Sequence, residues 1–179
     1  MPPSLSPLFQ EARAADWPAG ETLFLAGQAV EAVFLVLSGR VHLQRHTPDG
    51  ARLILQDAGP GDILAEASAY SARYHCDAVV VTATTLASLP KPVFLAALRE
   101  DADLGEAWSS LLARSVQAAR LRAEIRSLPR VADRLNAWLG EGNRLPERGR
   151  RQDVAAELGV TREALYRELA RRRTERPRP

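Results

Sequence analysis

Between Arg151 and Arg173 the sequence RQDVAAELGVTREALYRELARRR brings Arg162, Glu163, Tyr166 and Arg167 onto one side of a helical repeat. Guanidinium, carboxylate and phenol groups at this spacing suit the hydrogen-bonding edges of bases in a DNA major groove. The apolar positions around them predict two short helices and a tight turn. Val154, Ala155 and Leu158 form one stripe, and Leu165 and Leu169 form a second at i, i+4. Gly159 supplies the turn, Val160 plugs the corner and Thr161 stands where an N-cap belongs. The expected motif is a helix-turn-helix whose second helix enters the groove. The same spacing also fits a helical hairpin with a solvated charged face.

Charge along the chain favours a polyanionic partner for this end. From Asn143 onward there are 11 Arg against 6 carboxylates, net +5, whereas residues 1–100 carry 7 basic and 10 acidic side chains, net −3. A second set of reactive groups lies at Tyr74-His75-Cys76-Asp77. Cys76 is the only cysteine of the 179 residues, which rules out a four-cysteine cluster or zinc site within one chain and fits a reducing compartment. No apolar run is long enough for a membrane span, and the N-terminus lacks the pattern of a signal peptide, so a cytoplasmic protein is expected.

The elements that must position these groups change character along the chain. Residues 4–14 fit a short helix. From Glu21 to Leu89, short apolar runs recur at Thr22–Leu25, Ala32–Leu37, Arg40–Arg45, Arg52–Gln56, Cys76–Thr82 and Thr85–Leu89. Breaks fall at Ala26-Gly27, Ser38-Gly39, Asp49-Gly50 and Gly59-Pro60-Gly61-Asp62. That rhythm predicts a β-sandwich or barrel, with a hairpin at Asp49-Gly50. Val93–Arg99 fits a short helix. A long helix follows from Asp101 or Asp103 to about Ser127, and Pro129 ends it. It carries two stripes: Leu104, Trp108, Leu111, Ser115, Ala118 and Ile125, and separately Leu112, Val116 and Ala119. One can face the chain's own core and the other a second copy; a single wide core-facing stripe is the alternative. Val131–Leu139 forms another helix, closed by Gly140.

Barrel, long helix and helix-turn-helix in this order resemble the Crp/Fnr family of bacterial transcription regulators. GETLFLAGQAVEAVFLVLSGRVHLQRHTPDGARLILQDAGPGDILAE resembles the family's cyclic-nucleotide-binding barrel, and RQDVAAELGVTREALYREL resembles its reading head. The resemblance spans most of the chain. It implies an α+β fold with a jelly-roll sensory barrel over 1–100, a dimerisation helix over 101–128 and a DNA-binding domain over 129–179. It implies a homodimer on palindromic double-stranded DNA with TGTGA-like half-sites, acting with RNA polymerase. The family's R-E-x-x-x-R reading triplet falls on Arg162, Glu163 and Arg167. Both Arg can take guanine O6 and N7, and Glu163 can accept from cytosine N4. Thr161, Arg151 and Gln152 would hold phosphates. Glu168 departs from the pattern, since an apolar residue is usual there. The segment 141–150 is short for the hairpin that normally precedes the reading head, and few residues follow Arg173. A reduced or absent wing, or a truncated chain, is therefore expected, with Arg171, Arg172, Arg173, Arg176 and Arg178 as a basic tail.

The ligand loop departs further. Nucleotide-binding members resemble F-G-E-x-A…R-[ST]-A, with the Glu on the ribose and the Arg on the phosphate. Here Glu66 is kept, the Gly is Ala65, the phosphate-binding Arg is Cys76 and the next hydroxyl residue is Asp77. Losing a charge-assisted pair and adding a like charge costs on the order of 2–5 kcal/mol, so no response to cyclic AMP is expected. Cys76 reads either as a small buried strand residue, with His75 pointing the opposite way, or as a sensory thiol or a metal or haem ligand drawing on His75, Asp77 and Glu66. The effector is left open. No nucleophile elbow, phosphate loop or His-x-His…Glu set appears, so an enzyme is not expected. The competing classes are a protein-binding adaptor with a degenerate helix-turn-helix and a metal-dependent cupin-like enzyme.

Overall fold

A computed structural model describes residues 5–147 and 150–175. Within these residues six strands form one antiparallel sheet: β1 (Arg13–Trp17), β2 (Thr22–Phe24), β3 (Ala32–His46), β4 (Arg52–Ala58), β5 (Ile63–Leu64) and β6 (Asp77–Pro90). The order is β1-β6-β3-β4, with β2 also on β6 and β5 on β3. Among the described residues five α-helices follow: α1 (Lys91–Glu100), α2 (Ala102–Ser127), α3 (Val131–Gly140), α4 (Arg151–Leu158) and α5 (Arg162–Glu175). Among the described residues no helix is long and apolar enough to cross a membrane.

The sheet's long strands bury both faces by simple alternation. Val36, Val41 and Leu43 of β3 face an interior shared with Phe24, Tyr74, Cys76, Ala78, Val80 and Leu86. Val33 and Leu35 face the other way, into a core with Phe9, Phe94 and Trp108. There Phe94 meets Trp108 edge-on at 5.0 Å between centroids. Grouped by backbone contacts, one unit comprises residues up to Arg45 and Leu55–Val116, and a second comprises His46–Ile54 with residues from Gln117 onward.

Several expectations need correction. The first residues form a short 3-10 turn over Ser6–Phe9 and then strand β1, not one helix over 4–14. β1 pairs with β6 along Arg13–Trp17, so tertiary pairing overrides the local helical pattern. Ser38-Gly39 is a bulge inside an unbroken β3, not a break between strands. Gly39 sits at φ +83°, and a Cβ there would lie 2.3 Å from the Ala83 carbonyl oxygen and Thr84 Oγ1. Buried Thr84 takes up the disturbed ladder by accepting the Arg40 N–H at 2.9 Å and donating to the Thr82 carbonyl at 2.7 Å. The Asp49-Gly50 hairpin forms as expected, closed by Thr47 N–H to Ala51 O at 2.9 Å.

α2 begins where its cap predicts: Asp101 Oδ1 accepts the N–H groups of Asp103 and Leu104 at 2.9 and 3.1 Å. Of its two stripes, Leu104, Trp108 and Leu111 pack into the chain's own core, and Ile125 joins the helical core. Val116, Ala119 and Ala123 are exposed. The left-handed glycine after α3 is Gly142, at φ +82°, rather than Gly140, which is the helix's last residue.

Candidate nucleic-acid interface

α4 and α5 form the expected helix-turn-helix. Val154, Ala155, Leu158, Leu165 and Leu169 join Leu135, Trp138 and Ile125 in one core. α4 ends in a Schellman closure: Gly159, at φ +63°, donates to Ala156 O at 3.4 Å, and Val160 donates to Ala155 O at 3.0 Å. Thr161 Oγ1 accepts the Ala164 N–H at 3.2 Å, which caps α5.

Two arginines that the sequence reading passed over lock this turn. Arg134 donates through Nη1 to the carbonyls of Leu158 and Gly159 at 3.1 and 3.0 Å, and through Nε to Leu128 O at 2.7 Å. Arg126 donates through Nε to Glu157 O at 2.8 Å and through Nη2 to Ile54 O at 2.7 Å. Cations at the carbonyl end of a helix are favoured by its dipole. The available signal was an arginine on an otherwise apolar face near a helix end, as at Arg126 beside Ile125. The hairpin tip of residues 46–54 is held to α4 a second time, by Arg52 Nη2 to Asp153 Oδ1 at 2.5 Å.

The structure brings Arg162, Glu163 and Arg167 together as an exposed face at the start of α5. The Arg162 guanidinium lies 5.4 Å over the half-buried Tyr166 ring, an arrangement that orders a long side chain before any partner arrives. Gln152 is exposed at the start of α4. Arg151 is half-buried, with Nε reaching the Pro146 carbonyl at 3.4 Å. Residues 141–147 form a turn and irregular chain.

The far end of α5 is not a free basic face. Glu168, 8% exposed, accepts from Arg171 Nε and Nη2 at 2.9 and 2.8 Å and from Arg172 Nε at 2.6 Å. Arg172 Nη2 also donates to Ala132 O and Asn136 Oδ1, at 3.0 and 2.8 Å. The departure at Glu168 thus replaces an apolar contact with an ionic staple between α5 and α3. Arg171 and Arg172, expected in a basic tail, belong to that staple, while Arg176 and Arg178 lie outside the described residues. Arg171, and then Arg172, hold the Glu168 carboxyl at about 2, from a usual 4.5, against the effect of burial. A lowered carboxylate contributes stability that is full above its unfolded value and is lost as pH falls toward 2. Arg171 is half exposed, so solvent screening reduces the gain. Glu168→Gln is expected to cost about 1–2 kcal/mol at pH 7 in denaturant unfolding, and the gap to the parent should close between pH 4.5 and 2. A gap independent of pH would show that the staple is not ionic.

In the β-domain, Ala65 is the one non-glycine residue at positive φ among the described residues, at +50°, directly before Glu66. The side chains at the loop alternate: His75 exposed, Cys76 buried, Asp77 intermediate. Asp77 Oδ1 accepts the Ala26 N–H at 2.8 Å, and His75 Nε2 lies 3.3 Å from Ser71 Oγ. Two cations reach the loop from outside it: Arg45 donates through Nε to His75 O at 2.6 Å, and Lys91 through Nζ to Ser71 O at 2.5 Å. Arg73 donates likewise to Gly27 O at 2.6 Å. Burial pushes the Cys76 thiol up, Arg45 opposes this, and Asp77 and Glu66 push it further. A buried, protonated thiol is a poor nucleophile and a poor soft ligand. Burial, with help from Glu31 and Cys76, also raises the Tyr74 phenol to about 12, and its hydroxyl donates to Ala32 O at 3.1 Å. Of the other histidines, His46 is exposed and His42 is buried, with Nε2 3.3 Å from Asp57 Oδ1. Among the described residues no three His, Cys, Asp or Glu side chains are placed to hold one metal ion.

Comparison with known proteins agrees with this architecture. Residues 15–101 match the cyclic nucleotide-binding domain family. The chain is 31% identical to the cyclic AMP receptor protein of Thermus thermophilus, over 86% of this chain and 73% of that protein. It is 30% identical to the nitrogen fixation regulation protein FixK of Bradyrhizobium diazoefficiens, over 87% of this chain and 69% of the relative. The solved structure of the c-di-GMP-responsive global regulator CLP of Xanthomonas campestris superimposes with a TM-score of 0.79 at 20% identity, over 98% of this chain and 94% of that one. An antiparallel jelly roll, a long helix and a helix-turn-helix, shared with relatives at this identity and coverage, place the chain in the Crp/Fnr family of transcription regulators.

Proposed function

We propose that this regulator is a homodimer that reads a palindromic, TGTGA-like site in double-stranded DNA and does not answer to cyclic AMP. The observation that carries the reading is the exposed triplet Arg162, Glu163 and Arg167 above a turn fixed by capping and by two arginine clamps. Arg162 and Arg167 take guanines and Glu163 a cytosine, while Arg151, Gln152, Thr161 and the α5 N-terminus take phosphates. RNA polymerase is the partner that the family relationship suggests, and DNA as target implies work in the cytoplasm. Selection of bound duplexes from a random pool tests this. A two-fold symmetric consensus is expected, and recovery of no consensus would end the base-reading assignment.

The dimer rests on α2. With Leu104, Trp108, Leu111 and Leu112 packed inward, Val116, Ala119 and Ala123 are left as an exposed stripe at 3/4 spacing. Small residues at such spacing let two helices approach closely. A palindrome reader needs a second copy, and this is the face on which we place it. The seam is placed on Val116, Ala119 and Ala123.

The insensitivity to cyclic AMP rests on the loop. Asp77 anchors the 25–28 segment through Ala26, and buried Cys76 stands where nucleotide binders put a cation. Calorimetry with cyclic AMP is expected to show no binding to the parent chain. The double variant Cys76→Arg/Asp77→Ser, which restores the cation and removes the like charge, is expected to gain at least about tenfold in affinity. Parent and variant binding equally well would sink this part of the reading.

A further inference from the structure

We propose that the β3–β4 hairpin tip acts as a sequence-independent electrostatic brake on DNA binding, with Asp49 as its charge. The inference rests on the DNA-reading assignment above. Residues 46–54 group with the helical unit, and they are fixed to it by the Arg52–Asp153 ion pair and by Arg126 on the Ile54 carbonyl. Between the tip and the start of the reading helix lies a hollow of ≈ 730 Å³. Thr47 and Asp49 line one wall, and Gln152, Thr161 and Arg162 line the other. The second wall carries groups assigned to phosphate and base, together with the positive end of α5. Asp49, exposed at the tip, brings a carboxylate to the rim of the same hollow.

That carboxylate stays ionised. The Thr47 hydroxyl donates to it and holds it below its usual range. No cation pairs with Asp49 among the described residues, whereas the arginine of the same hairpin, Arg52, is already committed to Asp153. A phosphate strand approaching Thr161 and Gln152 therefore meets an unneutralised like charge on a firmly attached arm. The penalty depends on the strand's charge and not on its bases, so it acts on the binding that every duplex shares. Arg162 remains the base reader. Asp49 sets the level on which that selectivity is superimposed.

The test uses the whole chain and two duplexes, the selected site and a scrambled sequence, with affinity followed by anisotropy from 50 to 400 mM salt. Asp49→Asn is expected to raise affinity for both duplexes alike, about threefold at the lowest salt, and Asp49→Lys about tenfold. Both gains should fade as the Debye length shrinks with added salt. A flat series from Asp to Asn to Lys overturns the brake, as does a gain confined to the selected site. A gain that persists undiminished at high salt also overturns it, since a merely loosened hairpin would produce that. The two readings fail separately: a parent chain that binds neither duplex removes the DNA-reading assignment, whereas a binding parent with a flat Asp49 series removes only the brake.

Discussion

Alanine at Arg162 is expected to weaken binding to the selected site by about 1–3 kcal/mol, roughly ten- to a hundredfold, and to relax preference at one base pair of each half-site. The reason is geometric. Arg162 is exposed at the first residue of α5, its guanidinium is steadied over Tyr166, and the turn beneath it is fixed by Thr161, Arg126 and Arg134. An arginine pre-positioned in this way loses little freedom on meeting guanine, so its removal costs a directional pair of hydrogen bonds. Glu163→Ala should relax a neighbouring position. Competition of each variant against a panel of single-base-changed duplexes reads both effects. Equal loss on selected and scrambled DNA would mean that Arg162 serves phosphate.

Glutamate at Val116 is the second large change. Val116 is 49% exposed in the stripe that α2 presents outward. A dimer formed there would bury two carboxylates face to face, at a cost of several kcal/mol, and sedimentation at micromolar concentration should show a monomer. Affinity for the palindrome should fall more than about a hundredfold, because two linked heads become one. Leu111→Glu serves as the contrast. Leu111 packs with Leu104 and Trp108 in the chain's own core, so that change should lower the unfolding midpoint. A Val116→Glu chain that remains dimeric would remove the seam from α2.

The reading head was legible in the sequence because everything that makes it is local. Thr161, Gly159 and the two apolar stripes act within about twenty residues, and each did what its type requires. The barrel was legible in rhythm but not in continuity. Ser38-Gly39 looks like a turn until Thr84, far along the chain, supplies the partners that let β3 run through it. β1 was missed because its reason for existing is β6. The two stripes of α2 were both visible, yet Leu112 of the second stripe packs into the same core as Leu104, Trp108 and Leu111, and it is Val116 and Ala119 that are left exposed. At Glu168 the anomaly was visible and its resolution was not, since Arg172 ties the carboxylate to Asn136 and Ala132 on a different helix.

Gly159 is constrained by its backbone. Its φ of +63° is one that side chains rarely adopt, while a Cβ there would meet the Cγ and Cδ of Arg126, the arginine that closes the turn, at an ordinary contact distance of 3.6 Å. Every missense change in a glycine codon adds at least that one carbon. The genetic code therefore offers no amino acid substitution at this position that leaves the backbone unstrained. Change in the helix-turn-helix is channelled outward, to exposed positions such as 162, 163 and 167, which under the proposed assignment set the sequence that is read, while the frame beneath them stands. A family built on such a turn can shift its vocabulary of sites without renegotiating its fold.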